Sequence, residues 1–122
     1  MGNNISNQLI SLAKGMKMLH EDLEDLIRSC PLLVVEFGDD SCGPCVAIRQ
    51  KLDAWLSRHP EATARYLPIR EFPALAAQRG ILSAPTVSVW IDGQRVEQES
   101  GYFSLDLLLE RVERALEFRK SS

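Results

Sequence analysis

The segment Cys42–Gly43–Pro44–Cys45 constrains the fold most, because it lies between two apolar stretches of different periodicity. Before it, residues 32–37 form a short Val-rich run that is apolar on both faces, which predicts a buried strand of a parallel sheet. After it, residues 45–58 place apolar side chains at the spacing of an amphipathic helix, namely Ile48, Leu52, Trp55 and Leu56. The sequence therefore predicts a strand, a loop with two cysteines and a helix in direct succession.

The N-terminal part of the chain is predicted to be helical. Between Ile5 and Ile27, apolar residues recur at steps of three and four, which places one apolar stripe on a helix. Gly15 is a candidate break in this stripe, and Pro31 ends it. We therefore expect residues 1–29 to be an N-terminal helical segment.

The C-terminal half alternates between strand and helix patterns. Residues 86–91 alternate with period two before Asp92–Gly93, a pair typical of tight hairpin turns. Ser104 is a suitable cap for a last helix with one apolar face. The predicted elements are a strand at 64–69, a short helix at 73–79 that Gly80 ends, a hairpin of strands at 86–91 and 95–99, and the last helix.

Length and charge limit the class of protein. A chain of 122 residues with 45% hydrophobic and 25% charged residues fits one domain, here 1–122 with a core at 32–120. The element order predicts an α/β domain in which helices cover a mixed sheet. A net charge of −3 gives no electrostatic reason to propose nucleic acid or an anionic membrane as a partner. Neither a membrane span nor a signal peptide is evident, so we expect a cytoplasmic protein.

The chain has three cysteines, whereas a secreted disulfide scaffold would have more of them and an even number. A zinc site would need two more ligands, and His20 and His59 are isolated. A structural disulfide is disfavoured in a reducing compartment, which leaves redox chemistry as the preferred interpretation. At a helix N-terminus the thiolate of Cys42 is stabilised, so its pKa is expected to be lowered. Cys30 is interpreted as a small buried side chain.

Together these residues resemble the thioredoxin family. The Cys42–Gly43–Pro44–Cys45 segment is similar to the active site of that family. The order Gly80–Ile81–Leu82–Ser83–Ala84–Pro85–Thr86 is similar to its approach to a cis-proline. Asp92–Gly93 and Gly101 fall where the family keeps a hairpin turn and a later glycine. The resemblance extends from about Leu32 to the C-terminus.

The resemblance implies a thioredoxin-like fold, with a mixed central sheet of four to five strands flanked by helices. Cys42 would be the exposed nucleophile and Cys45 the more buried resolving thiol. Pro85 would be cis and lie opposite the pair; the alternative is an ordinary trans proline at the start of a strand. The other implied site residues are Ser41, Gly43 and Pro44 in the active-site loop, and Ala84, Thr86 and Gly101 in a substrate groove.

The activity implied by the resemblance is reduction of protein disulfides through a Cys42–Cys45 dithiol–disulfide cycle, without a bound cofactor. The partners would be disulfide-containing proteins and a thioredoxin reductase or similar electron donor, and a monomer is expected. Two alternatives stay open: a dedicated electron carrier for one partner, and a non-catalytic binding module with this fold. The intact cysteine pair argues against the binding module.

Several positions depart from the family pattern. Ser41 stands where thioredoxins usually have a tryptophan, so an aromatic docking surface is missing there. Glu36 replaces a buried aspartate, and strand alternation points its carboxyl inward, so we hypothesise that it accepts the proton of Cys45. The alternative is a glutamate that reaches solvent or pairs with an arginine. Tyr66 replaces a lysine, which removes a charge that would keep the acid ionised.

Overall fold

The computed structural model describes residues 9–12, 16 and 18–121. No helix in this part of the chain has the length and apolar character needed to cross a membrane. The elements in chain order are β1 (Leu9–Ser11), α1 (His20–Ser29), β2 (Leu32–Gly38), α2 (Gly43–Leu56), β3 (Ala62–Pro68), a 3₁₀ turn (Ile69–Glu71), α3 (Pro73–Gln78), β4 (Thr86–Ile91), β5 (Gln94–Ser100) and α4 (Leu105–Ser121).

The strands form a five-stranded mixed sheet in the order β1-β3-β2-β4-β5. β1 and β2 run parallel to β3, whereas β4 is antiparallel to both β2 and β5. Every residue of β2 is buried, as expected for a central strand that is covered on both faces. The predicted mixed sheet with flanking helices is confirmed.

Helices cover both faces of this sheet and define two cores. Leu32 and Val34 of β2 face one core, to which α2 and α4 contribute Leu52, Leu56 and Leu108. The alternate β2 residues face the second core, which α1 and α3 complete; its members include Leu33, Val35, Phe37, Leu23, Ile27 and Leu75. Because Glu36 follows Leu32 and Val34 at steps of two, its side chain belongs to the face that α2 covers.

The prediction of a helix over the N-terminal stretch is wrong for residues 9–11, which form strand β1. Leu9 pairs with Ala64 of β3 and so extends the sheet beyond β3. A run of three residues carries too little periodicity to distinguish strand from helix, and pairing with an open sheet edge decides the outcome. The helix begins at His20, where the Leu19 N–H donates to the Asp22 carboxylate at 2.8 Å. Residues 5–8 and Gly15 lie outside the described residues.

The other predicted elements are confirmed, and their ends differ from the predicted ones by at most two residues. Asp92 and Gly93 both have positive φ, at 51° and 85°, as the tight turn between β4 and β5 requires. Ser104 accepts a hydrogen bond from the Leu107 N–H at 3.2 Å and so caps α4.

Candidate active site

Cys42 and Cys45 are joined by a disulfide at the N-terminus of α2. Cys42 is the residue that caps this helix, and its sulfur accepts a hydrogen bond from the Cys45 N–H at 3.2 Å. Pro44 lies in the first turn, where backbone N–H groups have no acceptor within the helix, so the N–H that proline lacks costs no hydrogen bond. Cys42 is partly exposed and Cys45 is fully buried, so the pair can be reached from solvent only at Cys42.

The loop before Cys42 is held by the side chain of Asp39. Its carboxylate accepts hydrogen bonds from the Ser41 N–H at 3.0 Å and the Ser41 hydroxyl at 2.8 Å. These bonds, the backbone one foremost, lower the pKa of Asp39. The Cys42 N–H in turn donates to the Asp39 carbonyl at 2.9 Å. The exposed Ser41 is therefore a fixed polar rim beside the nucleophile position.

Glu36 is fully buried on the sheet face beneath α2. Neither carboxyl oxygen has a hydrogen-bond partner among the described residues, so the alternative of a glutamate that reaches solvent finds no support. Of the other alternative, pairing with an arginine, the structure shows an electrostatic effect of Arg49 on the carboxyl but no hydrogen bond to it. Burial raises the pKa of Glu36 to about 8; Arg49 opposes this increase and Asp53 adds to it. The side chain is thus a buried acid that titrates close to neutral pH.

Tyr66 lies directly beside Glu36, since the two residues are register partners in β3 and β2. Its hydroxyl donates to the Asp40 carboxylate at 3.1 Å, and burial raises the pKa of the phenol. The guanidinium carbon of Arg49 is 4.3 Å from the centre of the Tyr66 ring. Tyr66 stands where the family has a lysine, and the side chain of Arg49 from α2 therefore brings a positive charge to this position.

The cis-proline segment lies at the same edge of the sheet as the cysteine loop. Thr86, the first residue of β4, pairs with Phe37 near the end of β2, from which the loop to Cys42 departs. The Ala84–Pro85 peptide bond is cis, as the resemblance implies. The Gly101 N–H donates to the Pro85 carbonyl at 2.9 Å. The structure thus brings the predicted groove residues together.

Two exposed apolar side chains beside this groove were missed by the sequence analysis. Leu82 is 93% exposed and precedes Ala84 by two residues, and Tyr102 is 99% exposed and follows Gly101 directly. Their proximity in sequence to the predicted groove residues was the available signal. Exposure of such large apolar side chains to water is energetically unfavourable, so both are candidates for contact with a partner.

Cys30 is half-buried at the end of α1 and contacts the second core, in agreement with its interpretation as a packing residue. Its sulfur is 3.9 Å from the Ser29 hydroxyl. In the described part of the chain, no group of three or more His, Cys, Asp or Glu residues could hold a metal ion.

The mixed sheet between helical layers, with a disulfide at the start of the helix after its central strand, defines a thiol–disulfide oxidoreductase of the thioredoxin fold. A solved structure of a mutant thioredoxin from Halobacterium salinarum NRC-1 superposes with a TM-score of 0.73 at 23% identity. The superposition covers 93% of this chain and 95% of that one, and it shows the fold.

Relatives in sequence show the family. The thioredoxin family model matches residues 16–114. Thioredoxin from Chlamydia muridarum is 33% identical over 81 residues, which cover 66% of this chain and 79% of that protein. Thioredoxin-2 from Pyricularia oryzae is 28% identical over 81 residues, and this match spans 66% of the present chain but 47% of that relative. This chain belongs to the thioredoxin family.

Proposed function

We propose that this chain reduces disulfides in other proteins through a dithiol–disulfide cycle of Cys42 and Cys45. The observation that carries the proposal is the asymmetry of the pair, with Cys42 open to solvent and Cys45 buried behind it. In the reduced protein, the unpaired N–H groups and the dipole of α2 favour a thiolate at Cys42. Cys42 is therefore the attacking sulfur and Cys45 the resolving one.

The cycle has two exchange steps. The Cys42 thiolate attacks a substrate disulfide; a bond from Cys42 to the substrate forms, the substrate S–S bond breaks, and one substrate thiolate leaves. Cys45 then loses its proton and attacks the Cys42 sulfur, which releases the second substrate thiolate. With two protons taken up, the substrate gains two electrons and two thiols, and the Cys42–Cys45 disulfide forms again.

Glu36 fits the role of proton acceptor for Cys45 in the second step. It lies beneath α2, the helix that holds Cys45, and no side-chain donor among the described residues occupies its carboxyl oxygens. Burial raises its pKa to about 8, which moves the carboxyl from the usual range of a glutamate toward that of a free thiol, about 8.5.

The substrate contact would be the groove of Ala84, Pro85, Thr86 and Gly101, together with the exposed Leu82 and Tyr102 beside it. These apolar side chains would take the place of the aromatic docking surface that is missing at position 41, where this chain has Ser41. A monomer in a reducing cytoplasm, which takes its electrons from a thioredoxin reductase or a similar donor, fits this arrangement.

The test is reduction of insulin disulfides by the chain with NADPH and a thioredoxin reductase. We expect turnover by the wild type and by Cys30→Ser, and none by Cys42→Ser. Turnover by Cys42→Ser at the wild-type rate would contradict the proposal.

A dedicated electron carrier is the second candidate, favoured by the polar Ser41 beside Cys42, whose hydroxyl is bound to Asp39. A pair that is reduced and reoxidised by small reagents, without turnover of insulin, would support the carrier over the general reductase.

A further inference from the structure

The ionisable groups around Glu36 come from only some of the elements packed against it. β4 contributes an apolar register partner, Val87, and the buried Cys45 lies in the first turn of α2. The ionisable groups come from α2, from β3 and from the loop after β2; they are Arg49, Asp53, Tyr66 and Asp40. Among these four, Arg49 is the cation, and it is the group that opposes the effect of burial on the carboxyl.

Arg49 is restrained by two contacts. Its guanidinium carbon lies 4.3 Å from the centre of the Tyr66 ring, a cation–π distance. Its Nη1 atom lies 3.7 Å from the Asp40 carboxylate, which also accepts the Tyr66 hydroxyl at 3.1 Å. Arg49, Tyr66 and Asp40 thus each contact the other two. Tyr66 is also the register partner of Glu36, so this cluster lies beside the buried acid.

We propose that Arg49 is a positioning residue, and that its guanidinium, restrained by Tyr66 and Asp40, stabilises the carboxylate form of Glu36 during the resolving step. The inference rests on the proposed role of Glu36 as proton acceptor of Cys45. In this role Arg49 acts through its charge on the buried acid and takes no part in the exchange between the sulfurs.

Removal of this cation should disfavour the carboxylate further. An opposite charge close to a carboxyl lowers its pKa by about 1 to 3 units, so Arg49→Gln is expected to raise the titration midpoint of Glu36 by about one unit. At pH 7 this leaves about tenfold less carboxylate. Arg49→Lys keeps the charge but loses the planar stack, so it should restore most of the wild-type midpoint.

The direct experiment follows the Glu36 carboxyl by ¹³C NMR from pH 5 to 10 in the reduced chain. The matched control is Arg65→Gln, since Arg65 precedes Tyr66 on β3, its side chain points to the opposite face, and the net charge changes equally. An upward shift in Arg49→Gln, with Arg65→Gln unchanged and Arg49→Lys near wild type, supports the proposal. An unchanged midpoint in Arg49→Gln, or an equal shift in Arg65→Gln, overturns it.

The kinetic experiment separates this inference from the function on which it rests. The second thiol release from 5,5′-dithiobis(2-nitrobenzoate) reports the resolving step, and its pH midpoint should move with the carboxyl in Arg49→Gln. If the carboxyl midpoint moves and the kinetic midpoint does not, Arg49 acts on Glu36 but Glu36 is not the proton acceptor, and the proposed role of that acid fails. If Glu36→Gln abolishes the kinetic midpoint while Arg49→Gln leaves it in place, the inference on Arg49 alone fails.

Discussion

The guanidinium of Arg49 lies 4.3 Å from the ring centre of Tyr66, which places a cation from α2 on a side chain of β3. The same ring closes over Gly38, where an added Cβ atom would be 2.5 Å from Tyr66 Cε1 and 2.7 Å from its hydroxyl. Since Glu36 is the register partner of Tyr66, the acid, the ring and the guanidinium form one packed unit behind the cysteine loop.

Gly38→Ala should destabilise the chain by about 1 to 3 kcal/mol, because the new methyl group overlaps a ring that Asp40 holds in place. Urea unfolding measures the change. Gly43→Ala is the control, since nothing lies within 4 Å of its added Cβ, and it should lose no stability. Equal unfolding free energies for the two variants would contradict the close packing of Tyr66 on Gly38.

Glu36→Gln should make the stability of the reduced chain less dependent on pH. The native pKa of Glu36 is about 8 and that of an unfolded glutamate is about 4.3, so between these values the native state holds one proton more. The contribution of Glu36 to wild-type stability therefore falls as pH rises through this window, by at most about 1.4 kcal/mol per pH unit, and is constant above it.

The variant lacks this titration, so the gap between its unfolding free energy and that of the wild type should shift in favour of the variant from pH 5 to pH 9. Denaturant unfolding at several pH values provides the measurement. Parallel stability profiles for the two proteins would show that Glu36 is not a buried acid with a raised pKa.

Tyr102→Ser and Leu82→Ser should weaken docking of protein substrates. Loss of an exposed apolar contact of about 1 kcal/mol corresponds to an increase in KM for insulin of about fivefold. The rate with 5,5′-dithiobis(2-nitrobenzoate) should stay unchanged, because so small a reagent needs no docking surface. Leu107→Ser, an exposed leucine on α4, is the control. An insulin KM equal to that of the control would rule out this surface.

Trp55→Phe should cost about 1 to 3 kcal/mol of unfolding free energy. Its indole N–H donates to the Glu113 carboxylate at 2.9 Å, and its ring stacks on His59 with centroids 3.7 Å apart. A double-mutant cycle with Glu113→Ala, which removes the acceptor, should give a coupling energy above about 0.5 kcal/mol in chemical denaturation. Strict additivity would mean that the hydrogen bond contributes nothing.

The elements around the cysteine pair could be predicted from sequence because each carries a local signal. Residues 32–37 are apolar on both faces, the helix after Cys45 has a regular apolar stripe, and Asp92–Gly93 specifies its own turn. The inward direction of Glu36 also followed from alternation along β2, and the structure buries it fully.

The remaining features depend on contacts between distant segments. Leu9–Ser11 forms a strand because it pairs with the edge of β3. The local spacing of apolar residues, which is helical, gives no indication of this pairing. Likewise, nothing in the α2 pattern indicates that Arg49 reaches Tyr66, since the contact depends on how α2 crosses β3. The loss of the lysine was visible in the sequence, but its replacement by Arg49 was not.

The most direct test of the two-cysteine cycle is to trap its intermediate. Cys45→Ser and Cys42→Ser are reduced, mixed with oxidised insulin and analysed by mass spectrometry of peptides under non-reducing conditions. We predict that Cys45→Ser accumulates a mixed disulfide at Cys42 and that Cys42→Ser forms none. An adduct on Cys45 in Cys42→Ser at a similar rate, or no adduct in Cys45→Ser, would contradict the assignment of Cys42 as nucleophile and Cys45 as resolving thiol.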